Sequence, residues 1–398
     1  MILNLVDAGC GIGKTSALIN YINDSSDKKF IFATPYLSEV IRIKEKCSDK
    51  AFKTPIERET KKEDIINLIR EGHNIATTHA LLNMLSEMEA NFYELLADYT
   101  LIIDETLTFI DPLQITKDDM NIIIKEYATI DDNDMLHWRN EQVSYEGRFE
   151  DYKQKIKSGS VYANKDVNGR VTSLIWIYPY NFLASFHQLF LLTYNFKGLG
   201  LAYCKLKNIE IKPLYIKDFH LTTEKQIYDY SKTKSCIHVL EDKKLNEIGN
   251  AYGALSYSWY ERHKGRKEME VLKKTLGNFF KHKTKGKSDD RLWTTFKQYE
   301  DYLADKGYKK NFVAHNIKAT NQYINTKHLA YTINRFMNPV TQDFLNKNDA
   351  NIDADEYALC EVIQFIFRSR ARINQPIDIF IPSRRMRFIV NNWLKRRD

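Results

Sequence analysis

Two short runs contain residue types that could handle a nucleotide. The first is Asp7-Ala8-Gly9-Cys10-Gly11-Ile12-Gly13-Lys14-Thr15, which lies between an apolar strand and a helix predicted over 16–22. Glycines let a backbone turn tightly and aim its N–H groups at phosphate oxygens, and the following helix N-terminus adds favourable dipole charge. Gly9, Gly11, Gly13, Lys14, Thr15 and Ser16 are therefore the expected nucleotide-holding set. Lys14 would reach the β- and γ-phosphates, and the Thr15 hydroxyl would hold Mg²⁺. The second run, Leu101-Ile102-Ile103-Asp104-Glu105-Thr106, delivers two adjacent carboxylates from an apolar strand. Asp104 would orient the metal ion and its waters, and Glu105 would polarise the attacking water. An Asp-Glu pair alone is often a turn or a helix cap. Behind a phosphate loop it reads as Mg²⁺-dependent hydrolysis of a nucleoside triphosphate.

These residues need elements to carry them. The first half alternates short apolar runs with helical stretches, the pattern of a parallel α/β sheet. Strands are expected at Ile2–Val6, Phe30–Ala33, Asn74–Thr77, Thr100–Ile103 and Leu189–Leu192, several running into polar residues where ligands of open sheets sit. Residues 111–173 break the pattern and read as a helical insertion in a first lobe of residues 1–205. Residues 206–232 read as a linker. A second lobe over 233–398 restarts with a strand at Cys236–Leu240, then a further strand at Asn311–His315, a helix at Leu329–Phe336, a helix ending near Arg372, and a strand at Asp378–Ile381.

Composition narrows the class. The chain has 398 residues and is 43% hydrophobic, enough for two cored domains. No apolar run approaches the ~18–20 residues of a membrane span. Met1 leads directly into an apolar strand, so no secretory signal is expected. Five scattered cysteines without a C-x-x-C pair argue against a disulfide framework or zinc site and fit a reducing cytoplasm. The net charge of +7 is uneven: residues 1–205 carry 23 Lys+Arg against 29 Asp+Glu, leaving 36 against 23 for the rest. That second half is either a polyanion-binding surface or a solvated basic face.

The motifs together resemble helicase superfamily two, the DEAD/DEAH-like helicases, and in particular a phage or mobile-element type. The spelling A-x-x-G-x-G-K-T at 8–15 is their usual first motif. Ala33-Thr34-Pro35 resembles the strand-contacting segment, Thr77-Thr78-His79-Ala80-Leu81 a later backbone-contacting one, and Leu191-Leu192-Thr193-Tyr194 the coupling motif, with Tyr194 in place of alanine. In the second half, Lys318-Ala319-Thr320-Asn321-Gln322-Tyr323 falls where a coupling motif is expected. Gln364-Phe-Ile-Phe-Arg368-Ser-Arg370-Ala-Arg372 resembles the last motif, its second arginine one residue late. The resemblance implies two RecA-like lobes with ATP in the cleft between them. It implies nucleic-acid or coupling roles for Thr34, Pro35, Thr78, His79, Thr193, Thr320, Asn321 and Tyr323. Arg368 and Arg372, four apart and so on one helix face, would stabilise the transferring phosphoryl group.

The implied activity is an ATP-dependent helicase or translocase on nucleic acid, single-stranded DNA favoured over RNA, in phage or mobile-element replication or recombination. The expected form is a monomer, with a replication protein as a possible partner. Two alternatives stay open: an ATPase that remodels protein complexes without unwinding, and a nucleotide-dependent loader. Weaker signals are set aside. Asn346-Lys347-Asn348-Asp349 spells a guanine-selecting motif but sits at a helix end, and the run 349–353 lacks the glycine and glutamate of a calcium loop. Trp293, Phe296 and Tyr299 are expected in the core rather than on bases.

Overall fold

The computed structural model describes residues 1–9, 11–56, 60–88, 90–139, 141, 144–314 and 321–396. The chain divides into two compact units. One comprises Met1–Ala8, Gly13–Gln226 and Asn338–Ile352, and the other Gly9–Ile12, Ile227–Met337 and Asp353–Asp398.

The strands of the first unit, in chain order, are β1 (Ile2–Asp7), β2 (Lys29–Thr34), β3 (Ile75–Thr78), β4 (Tyr99–Asp104), β5 (Ile110–Pro112), β6 (Ala128–Ile130), β7 (Leu136–Trp138), β8 (Val161–Lys165), β9 (Val171–Ile177), β10 (Gln188–Thr193), β11 (Glu210–Pro213), β12 (Tyr215–Lys217) and β13 (His220–Thr222). Six of them form the main sheet in the order β11-β1-β10-β4-β2-β3, every pairing parallel. A parallel sheet covered on both faces needs strands that are apolar along their whole length. β4 comes close: all six of its residues are buried, and Leu101-Ile102-Ile103 form an unbroken apolar run between Thr100 and Asp104. The helices Lys14–Asp24, Leu37–Lys46 and His79–Ser86 follow β1, β2 and β3 directly. All five strands expected in this half are present, each within one or two residues of its expected bounds.

Two expectations for this half need correction. The insertion at 111–173 is not helical alone. Besides helical turns over Lys117–Ile122 and Ile123–Tyr127 and the helix Glu150–Lys157, it carries strands of an antiparallel sheet in the order β5-β9-β8 and a hairpin of β6 with β7. The turns explain the misreading, because these strands are short and their signals lie in the connections. The Asp166 carboxylate accepts from the Asn168 and Arg170 N–H groups, and Gly169 takes φ +77°, so Asn168-Gly169 closes the β8–β9 hairpin. The aromatic richness packs internally, with Trp138 stacked on Tyr127 at 5.4 Å between ring centroids and Tyr145 edge-on to Tyr127. Residues 206–232, expected as linker, include β11, which adds an edge to the main sheet beside β1, and the β12–β13 hairpin.

The second unit has a smaller parallel sheet of β14 (Ile237–Val239), β15 (Arg291–Thr294), β16 (His328–Tyr331) and β17 (Ile377–Phe380), in the order β14-β17-β16-β15. The helix expected at Leu329–Phe336 is instead β16 followed by irregular chain. Its residues His328–Tyr331 are all buried, and Asn334 is held by donating Nδ2 to the Tyr252 and Ala254 carbonyls. The strand expected at Asn311–His315 is a short 3₁₀ turn over Lys309–Asn311 with a single bridge from Phe312 to Trp293; residue 315 lies outside the described residues. Trp293 and Tyr299 are fully buried and Phe296 nearly so, which places these aromatics in the core as expected, although on a strand and a turn rather than one helix.

Gly249 shows how tightly this unit packs. A Cβ there would stand 1.9 Å from the Pro382 carbonyl oxygen and 2.8 Å from the Ser383 nitrogen, both rigid backbone. Ser383 caps the helix Arg384–Lys395 by accepting from the Met386 N–H, so yielding would disturb that cap. Gly249→Ala is therefore expected to destabilise the protein by about 2 kcal/mol, within the range of overpacking substitutions. Urea unfolding is the check; an unchanged midpoint would refute the packing argument.

Candidate active site

Parallel register brings the polar strand ends of the first unit to one edge. Asp7 pairs with Thr193, Leu192 with Asp104, Ala33 with Ile103, and Thr34 with Thr78. The carboxyl ends of β1, β10, β4, β2 and β3 therefore stand side by side, where open α/β sheets bind ligands.

The phosphate-loop sequence leaves this edge after β1. Gly11 takes φ +86° and Gly13 φ +93°, conformations that side chains strongly disfavour. The helix begins at Lys14, two residues before the sequence reading placed it. Lys14 is buried and donates Nζ to the Ala8 carbonyl at 2.6 Å, across the mouth of the loop. The Ala8 N–H donates to the Thr193 carbonyl at 3.0 Å, which ties the loop to the end of β10. Thr15 Oγ1 lies 3.4 Å from Asp104 Oδ2, joining the first helix to the end of β4. Cys10 lies outside the described residues.

Glu105 follows Asp104 in a left-handed conformation, φ +67°, with its N–H donated to the Leu192 carbonyl at 2.8 Å. A non-glycine residue held there stores strain of about 1 kcal/mol or more, which persists when neighbours over-determine it.

A residue that sequence reasoning did not assign completes the edge. Asp7 accepts from the Asn195 N–H at 2.7 Å and the Phe196 N–H at 2.9 Å. Its carboxylate therefore fastens the chain after Thr193, where Asn195 has φ +60°, to the strand that leads into the phosphate loop. Asp7 is exposed at its surface yet densely surrounded. That desolvation pushes its carboxyl up, against the pull of the Phe196 and Asn195 N–H groups and of Lys14. The available signal was a charged residue ending an apolar strand beside the loop.

The remaining expected residues are spread more widely. Thr34 is wholly buried, so it presents no surface to a nucleic acid; Pro35 is half-buried. Thr78 is half-buried, whereas His79 and Thr193 are buried. Ser16 is half-buried on the first helix. In the second unit, Arg368 and Arg372 do not share a helix face. The helix Ala354–Ile366 ends before Arg368, which is buried, and Arg372 sits half-exposed in a 3₁₀ turn over Arg370–Ile373. Asn321 and Tyr323 lie in a 3₁₀ turn, and Thr320 is outside the described residues.

The donor set suits a metal ion shared with phosphate. Among the described residues no group of three or more His, Cys, Asp or Glu is placed to hold an ion. Thr15 and Asp104 converge as one hydroxyl and one carboxylate. Mg²⁺ commonly takes such a pair, with waters and substrate phosphates filling the rest of its shell.

A family model described as the YonV middle domain matches residues 110–176, and the YonV C-terminal Rossmann-like domain model matches residues 231–394. The SPbeta prophage-derived protein YonV of Bacillus subtilis (strain 168) is 34% identical over 413 residues, covering 99% of this chain and 98% of the relative. The chain belongs to the YonV family. Among solved structures, the YonV-type chain is similar to S. tokodaii Xpd4, at 12% identity and a TM-score of 0.47, covering 98% of this chain and 94% of that one. It is similar also to an apo structure of XPD, at 12% identity and a TM-score of 0.48, covering 96% and 92%. No helix among the described residues is long and apolar enough to cross a membrane.

Asp7→Ala removes the acceptor for two N–H groups and is expected to cost about 1 kcal/mol. The raised carboxyl also predicts a pH signature. The folded chain holds this proton more tightly than the unfolded chain, so the associated stability is present below the unfolded pKa and lost as pH rises through the folded one. Asp7→Asn, which cannot titrate, is expected to lose that component. Melting temperatures of both proteins between about pH 4 and 7 test it, and parallel curves would exclude the assignment.

Proposed function

We propose that this protein is an ATP-dependent, nucleic-acid-stimulated motor, a helicase or translocase acting on DNA. The observation that carries the reading is the convergence of Lys14, Thr15 and Asp104 at the carboxyl edge of one parallel sheet, with Glu105 the next residue after Asp104 and at positive φ. In this reading the nucleotide's phosphates replace the Ala8 carbonyl as the partner of Lys14. A charged phosphate oxygen is a stronger acceptor than a neutral carbonyl. The loop's N–H groups and the helix N-terminus take the remaining charge. Mg²⁺ would be held by Thr15, with Asp104 orienting its waters, and would neutralise charge on the leaving phosphates. Glu105 would hold and polarise the water that attacks the γ-phosphorus, its strained backbone fixing the carboxylate before the substrate arrives.

The motor function rests on further proposals. Pro35 and Thr78, at the ends of β2 and β3, would meet the nucleic-acid backbone, and Thr193 would pass the nucleotide state along the edge through its link to Ala8. Asn321 and Tyr323 would serve the same coupling in the second unit. Arg372, half-exposed, would supply positive charge to the transferring phosphoryl group, with buried Arg368 as the companion arginine of the resembled motif. The excess positive charge of the second half supports a polyanionic track. The SPbeta prophage origin of the Bacillus subtilis relative supports a role in phage or mobile-element replication or recombination. Remodelling of bound proteins without strand separation uses the same ATPase centre and remains the second reading.

Steady-state ATP hydrolysis is the primary test, measured alone and with single-stranded DNA, duplex DNA and RNA at low salt. Stimulation at least tenfold by single-stranded DNA is expected, and turnover indifferent to every polymer would remove the motor. Lys14→Ala and Glu105→Gln are expected to abolish turnover, and wild-type rates in either would remove the site. For Arg372→Ala, retained ATP binding with turnover lowered about a thousandfold is expected, as for loss of an arginine finger. Unchanged turnover there would exclude the role.

A further inference from the structure

The β12–β13 hairpin ends in a feature that folding alone does not explain. Its tip is Asp218-Phe219, with φ +50° and +60°, so two consecutive non-glycine residues occupy the left-handed region. Tight two-residue hairpin turns with both central residues at positive φ favour Asn or Asp followed by Gly. A bulky aromatic ring in the glycine position is an outlier. Burial does not compensate for it, because Phe219 is 56% exposed.

The ring's location is specific. Its Cδ1 and Cε1 atoms lie 2.7 and 2.8 Å from where a Cβ on Gly13 would stand, so the ring rests directly against the last glycine of the phosphate loop. The hairpin is fixed at both ends. At its base, the Leu214 N–H donates to the Leu5 carbonyl of β1, and Ile216 is buried. At its tip, Asn20 Nδ2, on the helix that follows the loop, donates to the Phe219 carbonyl at 2.9 Å. The turn itself is braced by His220 Nδ1 on the Asp218 carbonyl at 2.8 Å. An exposed aromatic face is therefore held rigidly between the strand that enters the phosphate loop and the helix that leaves it.

We propose that Phe219 is the base-stacking residue of the nucleotide site: its ring carries the nucleobase of the bound nucleoside triphosphate while the loop holds the phosphates. This rests on the phosphate-loop reading above and deepens it by assigning the part of the substrate that lies beyond the phosphates. An aromatic face binds any base through its π surface and contributes about 1–3 kcal/mol by alanine substitution. Every 1.4 kcal/mol is tenfold in affinity, which makes the expected loss about 5- to 150-fold. Gly13 then has two reasons to lack a side chain: its φ of +93°, and the space the ring occupies.

The test compares ATP with inorganic tripolyphosphate, which shares the phosphate chain but has no base, both with Mg²⁺. In Phe219→Ala, ATP affinity is expected to fall within that range while tripolyphosphate binds as it does to wild type. In Phe219→Trp, ATP is expected to quench fluorescence beyond the wild-type change, and tripolyphosphate to leave it unaltered. Equal ATP affinity in wild type and Phe219→Ala would overturn the stacking role and leave the phosphate loop standing. Parallel loss of ATP and tripolyphosphate binding in Phe219→Ala would also overturn it, because the ring would then be shaping the loop. Wild-type protein that bound neither ligand would overturn the phosphate-loop reading itself, and this inference with it.

Discussion

The register of the parallel sheet is the constraint on which the candidate site depends. β1, β10 and β4 are adjacent, so the ends of three strands far apart in sequence meet at one level: Asp7 opposite Thr193, and Leu192 opposite Asp104. A slip of one residue in any of these pairings would turn the terminal side chains to the other face. Buried apolar residues on both sides of the strands oppose such a slip, since it would exchange the packing of every side chain in the strand. The hydrogen bonds from Ala8 to Thr193, from Glu105 to Leu192, and from Asn195 and Phe196 to Asp7 then extend the same register one residue past each strand.

Several of the positive-φ residues lie at or beside this edge. Gly11, Gly13, Glu105, Asn195 and Phe219 all take positive φ, and four of the five belong to the loop that leaves a strand end or to the helix start it feeds. Glycine meets the requirement at low cost in the phosphate loop, where backbone N–H groups must approach a ligand. Glu105 and Phe219 meet it at a cost, and each presents a side chain that glycine could not supply. Strain kept where neighbours over-determine it is a common property of sites that must be organised before a ligand arrives.

The second unit shows a different balance. Its sheet has strands of three or four residues, and its aromatic core, with Trp293, Tyr299 and Tyr308 nearly or wholly enclosed, supplies much of the packing. Charged side chains satisfy one another on its surface: Lys283 with Asp242 at 2.8 Å, and Lys281 with Asp305 at 3.8 Å. Part of the lysine-rich stretch 281–287 is thereby engaged in exposed ion pairs. Such pairs contribute little to stability and are readily exchanged for other anions.

The residues of the candidate site and the main-sheet strands of the first unit were legible in the sequence because both are local properties. Glycine spacing before Lys14-Thr15, two carboxylates after an apolar strand, and five strands with short apolar runs each declare themselves within a few residues. What the sequence left open depended on contacts between distant segments. The Asp7 carboxylate gains its role only from the N–H groups of residues almost 190 positions away. Phe219 reads as a linker residue until β11 pairs with β1 and carries the hairpin onto Gly13. The stretch at 329–336 has the composition of either element, and pairing between β15 and β17 makes its first three residues part of a strand. The spacing of Arg368 and Arg372 implied a shared face, but the helix stops at Ile366, before Arg368, and Arg372 lies within a separate 3₁₀ turn. Periodicity records what a segment can become on its own, whereas strand partners, burial and helix ends are decided by the rest of the chain.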